Sequence, residues 1–331
     1  MKISRRRFLV DVGIGAGAAT AASLLPIGRT SAAAPISTTN SLPDAGGFLR
    51  LRDWAVCIPP QEWANSGDWV IDGVMEKLKP KSWHSWGIWP AGNVAGRVPA
   101  IFSDEYFSRE ATRQYLTDHP GREWATFNEP EIAGGKKMMP SLSLDKAAVP
   151  EYMSPELAVD VTLEFIDLAK SVGNEFQWMA PNITLNTSNN GLGWLTEYMS
   201  IMRRKKGIMR PCSWGIHPYG CNTVTALRQA MTKWWAWWET WGSGAPTRIT
   251  EVCAEGEGVA GQILVMNECY RMLRDDEVDA VCWASAYKGT HDGTNWQHYA
   301  LTVLNHETQT ISLTPLGQYW KELQNGLRTT R

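Results

Sequence analysis

Short apolar runs alternate with longer amphipathic stretches from residue 54 almost to the C-terminus, and this rhythm is the strongest constraint on the fold. Strands are predicted at 54–58, 83–87, 98–102, 123–128, 177–181, 213–217, 247–251 and 279–284. Helical periodicity marks 68–78, 108–117, 154–172, 191–206, 223–241, 261–275 and 315–325, with Ser154 before Pro155 as a helix start signal. Strands separated by helices read as parallel α/β, because a parallel partner needs a crossover connection. Eight of them fit an α/β fold of the (β/α)8 TIM barrel type, at about 250 residues or more. The stretch from Gly87 to Val98 is too short for a full helix, so the second outer helix is expected to be reduced. An open doubly wound sheet would need a phosphate-type loop after the first strand, and Cys57-Ile58-Pro59-Pro60 is not one.

In a barrel the chemistry sits where strands end. The fourth strand ends in Phe127-Asn128-Glu129-Pro130-Glu131, and the sixth in Gly215-Ile216-His217-Pro218-Tyr219-Gly220. The seventh ends in Arg248-Ile249-Thr250-Glu251, and the eighth contains Trp283. A carboxylate at the end of an apolar strand is costly unless it is paired or used. Glu129 and Glu251 would face each other across one barrel mouth, an arrangement suited to a retaining glycosidase, whose carboxyl groups stand about 5–5.5 Å apart.

With these residues in place, the chain resembles the clan A glycoside hydrolases. Phe127-Asn128-Glu129-Pro130-Glu131 with Ile249-Thr250-Glu251, 122 residues from Glu129, is most similar to the branch called the glycosyl hydrolase catalytic core, which includes endo-β-1,3-glucanases. Ser82-Trp83-His84-Ser85-Trp86, Val98-Pro99 and Leu313-Thr314-Pro315-Leu316-Gly317 add to the resemblance, which covers roughly 52–325. It implies that Glu129 is the acid/base, Glu251 the nucleophile and Asn128 a donor to the sugar 2-hydroxyl. It further implies that His217 and Tyr219 orient Glu251 and that Trp283 floors the sugar site. Such chemistry needs Glu129 protonated while Glu251 stays ionised. The second strand lacks the arginine that many clan members place there, which fits the glucanase-like branch better than the larger clan.

Blander readings stand beside these. Glu129 and Glu251 could be structural acids paired with Arg97 or Arg248, and His217 and Trp283 could be core residues. Glu131 reads as a supporting or surface acid. Gly256-Glu257-Gly258-Val259-Ala260-Gly261 matches a dinucleotide fingerprint, but Glu257 would repel a pyrophosphate, so the run reads as a tight turn beside Glu251. Met231, Trp234, Trp235, Trp238 and Trp241 follow helical spacing and read as a core-facing stripe. Trp86, Trp89 and Trp296, on loops at the expected mouth, are the better sugar-stacking candidates.

Neither Cys-x-x-Cys nor His-Glu-x-x-His occurs, so no metal or other cofactor is indicated. Cys212 and Cys221 lie at opposite ends of one strand and cannot bridge each other. Cys221 with Cys253 is the one pairing to consider, and free thiols are an equal alternative.

The N-terminus, Ser4-Arg5-Arg6-Arg7-Phe8-Leu9 followed by a soft apolar stretch to Leu25, resembles a bacterial twin-arginine export signal. Residues 1–33 are therefore expected to be the signal, with cleavage near Ala34, residues 34–50 a linker, and 51–331 the catalytic domain. Removing the signal leaves 27 basic and 33 acidic residues, a net charge of −6. That balance argues against nucleic acid and other anionic polymers as partners. No other apolar run reaches about 18 residues, so no stable membrane span is expected. The reading is an exported, periplasmic or secreted retaining glycoside hydrolase acting on a β-linked glucan poly- or oligosaccharide, with the twin-arginine machinery as its export partner. The alternatives are a non-catalytic carbohydrate-binding barrel and, more remotely, a nucleotide-using enzyme.

Overall fold

Trp54-Ala55-Val56-Cys57 alternates large and small apolar side chains, and the two sets face different layers. Ala55 and Cys57 point into a lumen cluster with Ala125, Met179, Ala280, Cys282 and Ala284. Trp54 points outward, where its indole stacks on Trp320 with ring centroids 6.1 Å apart and donates to the Trp320 carbonyl at 3.3 Å. Small residues inside and large ones outside let the strands close in on one another while helices cover the outer face.

The computed structural model describes residues 53–58, 69–80, 82–85, 97–99, 109–118, 120–121, 123–132, 153–175, 177–185, 190–207, 210–242, 244–254, 257–286 and 299–329. The strands are β1 (Asp53–Cys57), β2 (Trp83–Ser85), β3 (Arg97–Pro99), β4 (Glu123–Ala125), β5 (Gln177–Met179), β6 (Ile183–Thr184), β7 (Trp214–His217), β8 (Thr247–Val252), β9 (Ala280–Trp283), β10 (Thr302–Asn305) and β11 (Thr310–Leu313). The helices are α1 (Trp69–Leu78), α2 (Arg109–Asp118), α3 (Pro155–Ser171), α4 (Gly191–Lys206), α5 (Val224–Trp241), α6 (Val259–Arg274) and α7 (Pro315–Thr329). Ser154 caps α3 as expected, its hydroxyl accepting from Leu157 N at 3.2 Å, with Pro155 opening the helix.

One parallel sheet runs in the order β3-β2-β1-β9-β8-β7-β6, and β4 pairs in parallel with β5. Parallel bridges Met179↔Ser213 and Asn128↔Asn182 join the two sets, giving the strand order of a (β/α)8 fold from β3 round to β4. Among the described residues no ladder joins β3 to β4. The expectation of a reduced second outer helix falls on residues 86–96, outside the described ones.

Two features depart from the sequence reading. The expected strand 177–181 is split into β5 and β6, because Pro181 lacks the N–H a continuous ladder requires. The split has a use, since Asn182 N donates to Phe127 O at 2.8 Å and Glu129 N donates to Asn182 O at 2.7 Å. The second departure is the antiparallel hairpin β10–β11, in a stretch read as loop from the sequence. Its inward residues Leu304 and Ile311 are buried, and Ile311 packs closely on Gly73 of α1.

The tryptophan run on α5 faces the core at Met231, Trp234 and Trp235, while Trp238 and Trp241 are half-buried. Trp237 joins them, stacked on Trp234 and on Trp241, with Arg203 lying over the Trp241 ring at 4.4 Å. All six cysteines are free thiols, so the Cys221–Cys253 pairing is not formed. No helix among the described residues is long and apolar enough to cross a membrane.

Candidate active site

Three strand ends supply the site. The chain beyond β4 brings Glu129, whose φ of 49° lies in the left-handed region. Such a conformation is uncommon outside glycine and persists only where the surroundings impose it. Here the Glu129 N–H is tied to Asn182 and its carbonyl accepts from Ile132 N at 3.1 Å. Strand β7 ends in His217, and Tyr219 follows in the next turn. Strand β8 brings Glu251 where its register against β9 shifts between Ile249 and Val252, an irregularity of the kind that re-aims a side chain.

His217 lies between the two glutamates. Its Nδ1 is 2.9 Å from Glu129 Oε1, and its Nε2 is 3.6 Å from Glu251 Oε1. The Tyr219 hydroxyl donates to Glu251 Oε2 at 2.7 Å. The His217 side chain is fully buried, Glu251 is 4% exposed and Glu129 16%. One ligand-type atom from each of the three residues lies within 4.8 Å of the others, so the carboxyl groups of Glu129 and Glu251 are near neighbours.

Burial alone would push the His217 ring toward its neutral form. The charge of Glu251, the bond to Glu129 and the charges of Glu129 and Glu131 outweigh burial and hold the imidazole above its ordinary pKa. Burial, with the charge of Glu251 behind it, also raises the Tyr219 phenol and keeps it a proton-bearing donor. One imidazole and two carboxylates at this spacing are enough donor atoms for a cation. Nδ1, however, already meets Glu129, and the carboxylates favour the protonated ring, which has no lone pair to give a metal.

The other sequence candidates are placed as follows. Asn128 is buried and forms its bridge to Asn182. Trp283 is fully buried at the end of β9, where its Nε1 donates to Tyr299 O at 2.9 Å. Trp86, Trp89 and Trp296 lie outside the described residues. Arg248 does not pair with either site glutamate; its Nη2 is 3.4 Å from Glu123 Oε2. Gln262 of α6 exchanges two bonds with Ala254 just beyond β8, accepting from its N–H at 3.0 Å and donating to its carbonyl at 2.6 Å. The turn after β8 is thereby fastened to α6 close behind Glu251.

Glu131, read from the sequence as a supporting or surface acid, supports the site through a contact the sequence did not indicate. Glu131 is 5% exposed, and its Oε1 accepts from Thr184 N at 2.5 Å and Thr184 Oγ1 at 2.8 Å. Glu131 and Thr184 are 53 residues apart, and no local pattern announces their meeting.

Residues 69–320 match the protein family described as the glycosyl hydrolase catalytic core. Among solved structures, the chain is similar to a GH128 (subgroup VI) exo-β-1,3-glucanase from Aureobasidium namibiae, at 16% identity and a TM-score of 0.59 over 82% of this chain and 96% of that one. A GH128 (subgroup I) endo-β-1,3-glucanase from Amycolatopsis mediterranei, in complex with laminaritriose, matches at 18% identity and a TM-score of 0.54, over 82% and 99% of the two chains. A GH128 (subgroup II) endo-β-1,3-glucanase from Sorangium cellulosum matches at 18% identity and a TM-score of 0.51, over 75% and 93%. At these identities the likeness speaks for the fold alone. No curated protein sequence matches the chain.

Proposed function

The chain belongs to the glycosyl hydrolase catalytic core family, and from that premise we propose that it is a retaining β-glucanase acting on β-1,3-linked glucan. The observation that carries the proposal is the convergence of Glu129 and Glu251 on His217, with carboxyl oxygens within 4.8 Å. That proximity supports a double displacement, whose carboxyl groups stand about 5–5.5 Å apart, over an inverting reaction, whose groups stand about 6.5–9.5 Å apart.

In this reading Tyr219 holds Oε2 of Glu251, so Oε1 is the oxygen that attacks the anomeric carbon. The glycosidic C–O bond breaks as Glu129 gives its proton to the leaving oxygen. His217 engages Oε1 of Glu129, which leaves Oε2 for that transfer. Glu129 then takes a proton from water, the water oxygen attacks the anomeric carbon, and the ester to Glu251 breaks. Asn128, beside Glu129, is the donor to the sugar 2-hydroxyl, and Trp86, Trp89 and Trp296 are assigned to substrate contact, whereas Trp283, expected as a floor under the sugar, is fully buried and acts as core. A neutral glucan suits a chain whose net charge beyond residue 33 is −6. Residues 1–33 are assigned as a twin-arginine export signal, which places the enzyme in the periplasm or outside the cell.

A panel of β-glucans with product analysis tests the activity, and a Glu129→Ala variant tests the mechanism. The variant should still release a good leaving group in the first step. Added azide should then speed the second step, giving a glycosyl azide of retained configuration. Inverted products from the wild type would overturn retention. Binding without turnover of any glucan would favour the non-catalytic barrel.

A further inference from the structure

Behind the reacting pair lies a third carboxyl group that the proposed reaction does not consume. Glu131 is two residues beyond Glu129, yet it turns away from the mouth and into the protein. Both of its bonds from Thr184 fall on Oε1, and Oε2 is buried with no hydrogen-bond partner among the described residues. Gly191, the first residue of α4, closes the pocket: a Cβ there would lie 3.0 Å from Glu131 Oε1 and 2.4 Å from Thr184 O. Thr184 stands directly opposite His217 in the β6–β7 register. The Glu131 carboxyl therefore ties the loop that carries Glu129 to the strand that flanks His217.

A bond whose only purpose was to hold the loop would not require an ionisable group in a buried pocket, since a neutral amide offers the same acceptor. We infer that Glu131 is a positioning residue for the proposed reaction: its carboxylate fastens the Glu129 loop to β6, and its charge acts on the proton held between His217 and Glu129. The inference rests on the glycosidase reading for its catalytic consequence. The groups that face this contact are Glu129 and Glu131 from the loop, Glu251 from β8, and Tyr219 beyond β7, whose ring lies edge-on to His217 at 5.7 Å. Burial raises the Glu131 carboxyl despite its Thr184 bonds, and the charge of Glu129 adds to that rise. The Glu131 charge in turn favours the protonated ring of His217.

Two substitutions separate the fastening from the charge. Glu131→Ala removes both, and kcat should fall about ten- to a hundredfold, the worth of a bond to a charged group, with KM nearly unchanged. Glu131→Gln keeps an acceptor for Thr184 and should recover most of kcat. It should also move the basic limb of the pH profile, and the NMR titration midpoint of the His217 ring, to lower pH. The sign follows from removing a negative charge that favours the protonated ring. The His217 titration needs no substrate, so it reads the charge coupling even if no glucan is turned over. Wild-type kcat in a folded Glu131→Ala would overturn the fastening, and an unmoved His217 midpoint in Glu131→Gln would overturn the charge coupling. If the alanine variant fails to melt cooperatively, the fastening is judged on Glu131→Gln, where a loss of kcat as large as that forecast for alanine would overturn it.

Discussion

The segments of β4 and β8 each carry a charged residue at both ends, and the two ends of the fold use them in opposite ways. At the base, Glu123 opens β4 and Arg248 stands near the start of β8, opposite charges 3.4 Å apart in a buried pair. Ser213 donates to the same Glu123 carboxylate, and the Cys212 thiol lies 3.3 Å from it. At the mouth, the same two segments end in Glu129 and Glu251, like charges with only the His217 ring between them. The base is an internally compensated ion pair, whereas the mouth keeps an excess of negative charge next to solvent. A buried pair of opposite sign is a structural device, costly to break and idle in chemistry. Two acids set against one imidazole leave the mouth short of positive charge, an arrangement suited to a developing cation, at some expense of stability.

The sharpest way to break the comparison is to remove one carboxylate charge at each end. Glu251→Gln at the mouth should cut glucan hydrolysis on the order of 10⁴-fold or more, since a lost nucleophile leaves only binding and electrostatics. Its melting temperature should hold or rise, because one of two like charges has gone. Glu123→Gln at the base should destabilise the fold by about 3–5 kcal/mol by leaving Arg248 buried without its counter-charge. The folded fraction should keep its turnover. Chemical denaturation and initial rates on the same samples decide it, and the contrast fails if both variants lose the same property.

A smaller effect sharpens the assignment within the mouth. Tyr219→Phe removes one donor to Glu251 without changing the ring, and kcat/KM should fall about ten- to a hundredfold while stability hardly moves. A stability loss with full activity would make Tyr219 a structural residue instead.

The smallest effect lies on the outer helices. There Glu268 of α6 is gripped by Arg228 at 2.9 Å and Arg271 at 2.7 Å. Burial works against its charge, but these two guanidinium groups outweigh burial and lower the carboxyl to about 2. A depressed carboxyl contributes stability that is complete above its ordinary value near 4.5 and lost as pH falls toward 2. Melting temperatures measured down the acid limb should therefore fall less steeply in Glu268→Gln than in the wild type. Equal slopes would mean that the network contributes nothing.

Much of this was legible in the sequence, for stated reasons. A glutamate at the end of an apolar strand is conspicuous, and the alternation of runs fixes which strand ends share a face, so Glu129 and Glu251 could be brought together on paper. The role of Arg248 could not. Three residues from Glu251 on one strand, it enters only in the alternative that the two acids are structural and paired with Arg97 or Arg248. A rise of about 3.3 Å per residue instead carries it toward the base, where Glu123 waits. His217 was assigned to Glu251, yet β7 lies between β6 and β8, so the ring reaches Glu129 as well. The Glu131–Thr184 contact and the β10–β11 hairpin depend on the return of distant segments, which no local period encodes.

The six free thiols bear on how and where the chain can mature. Five are buried, and Cys57 donates to Thr250 O at 3.0 Å, next to Glu251 in the chain. Burial pushes the Cys57, Cys212 and Cys269 thiols upward, which keeps them protonated and slow to react. Nothing in the core therefore waits for an oxidant. With six free thiols the packing depends on no disulfide, so the same fold is open to the chain in a reducing compartment and in an oxidising one.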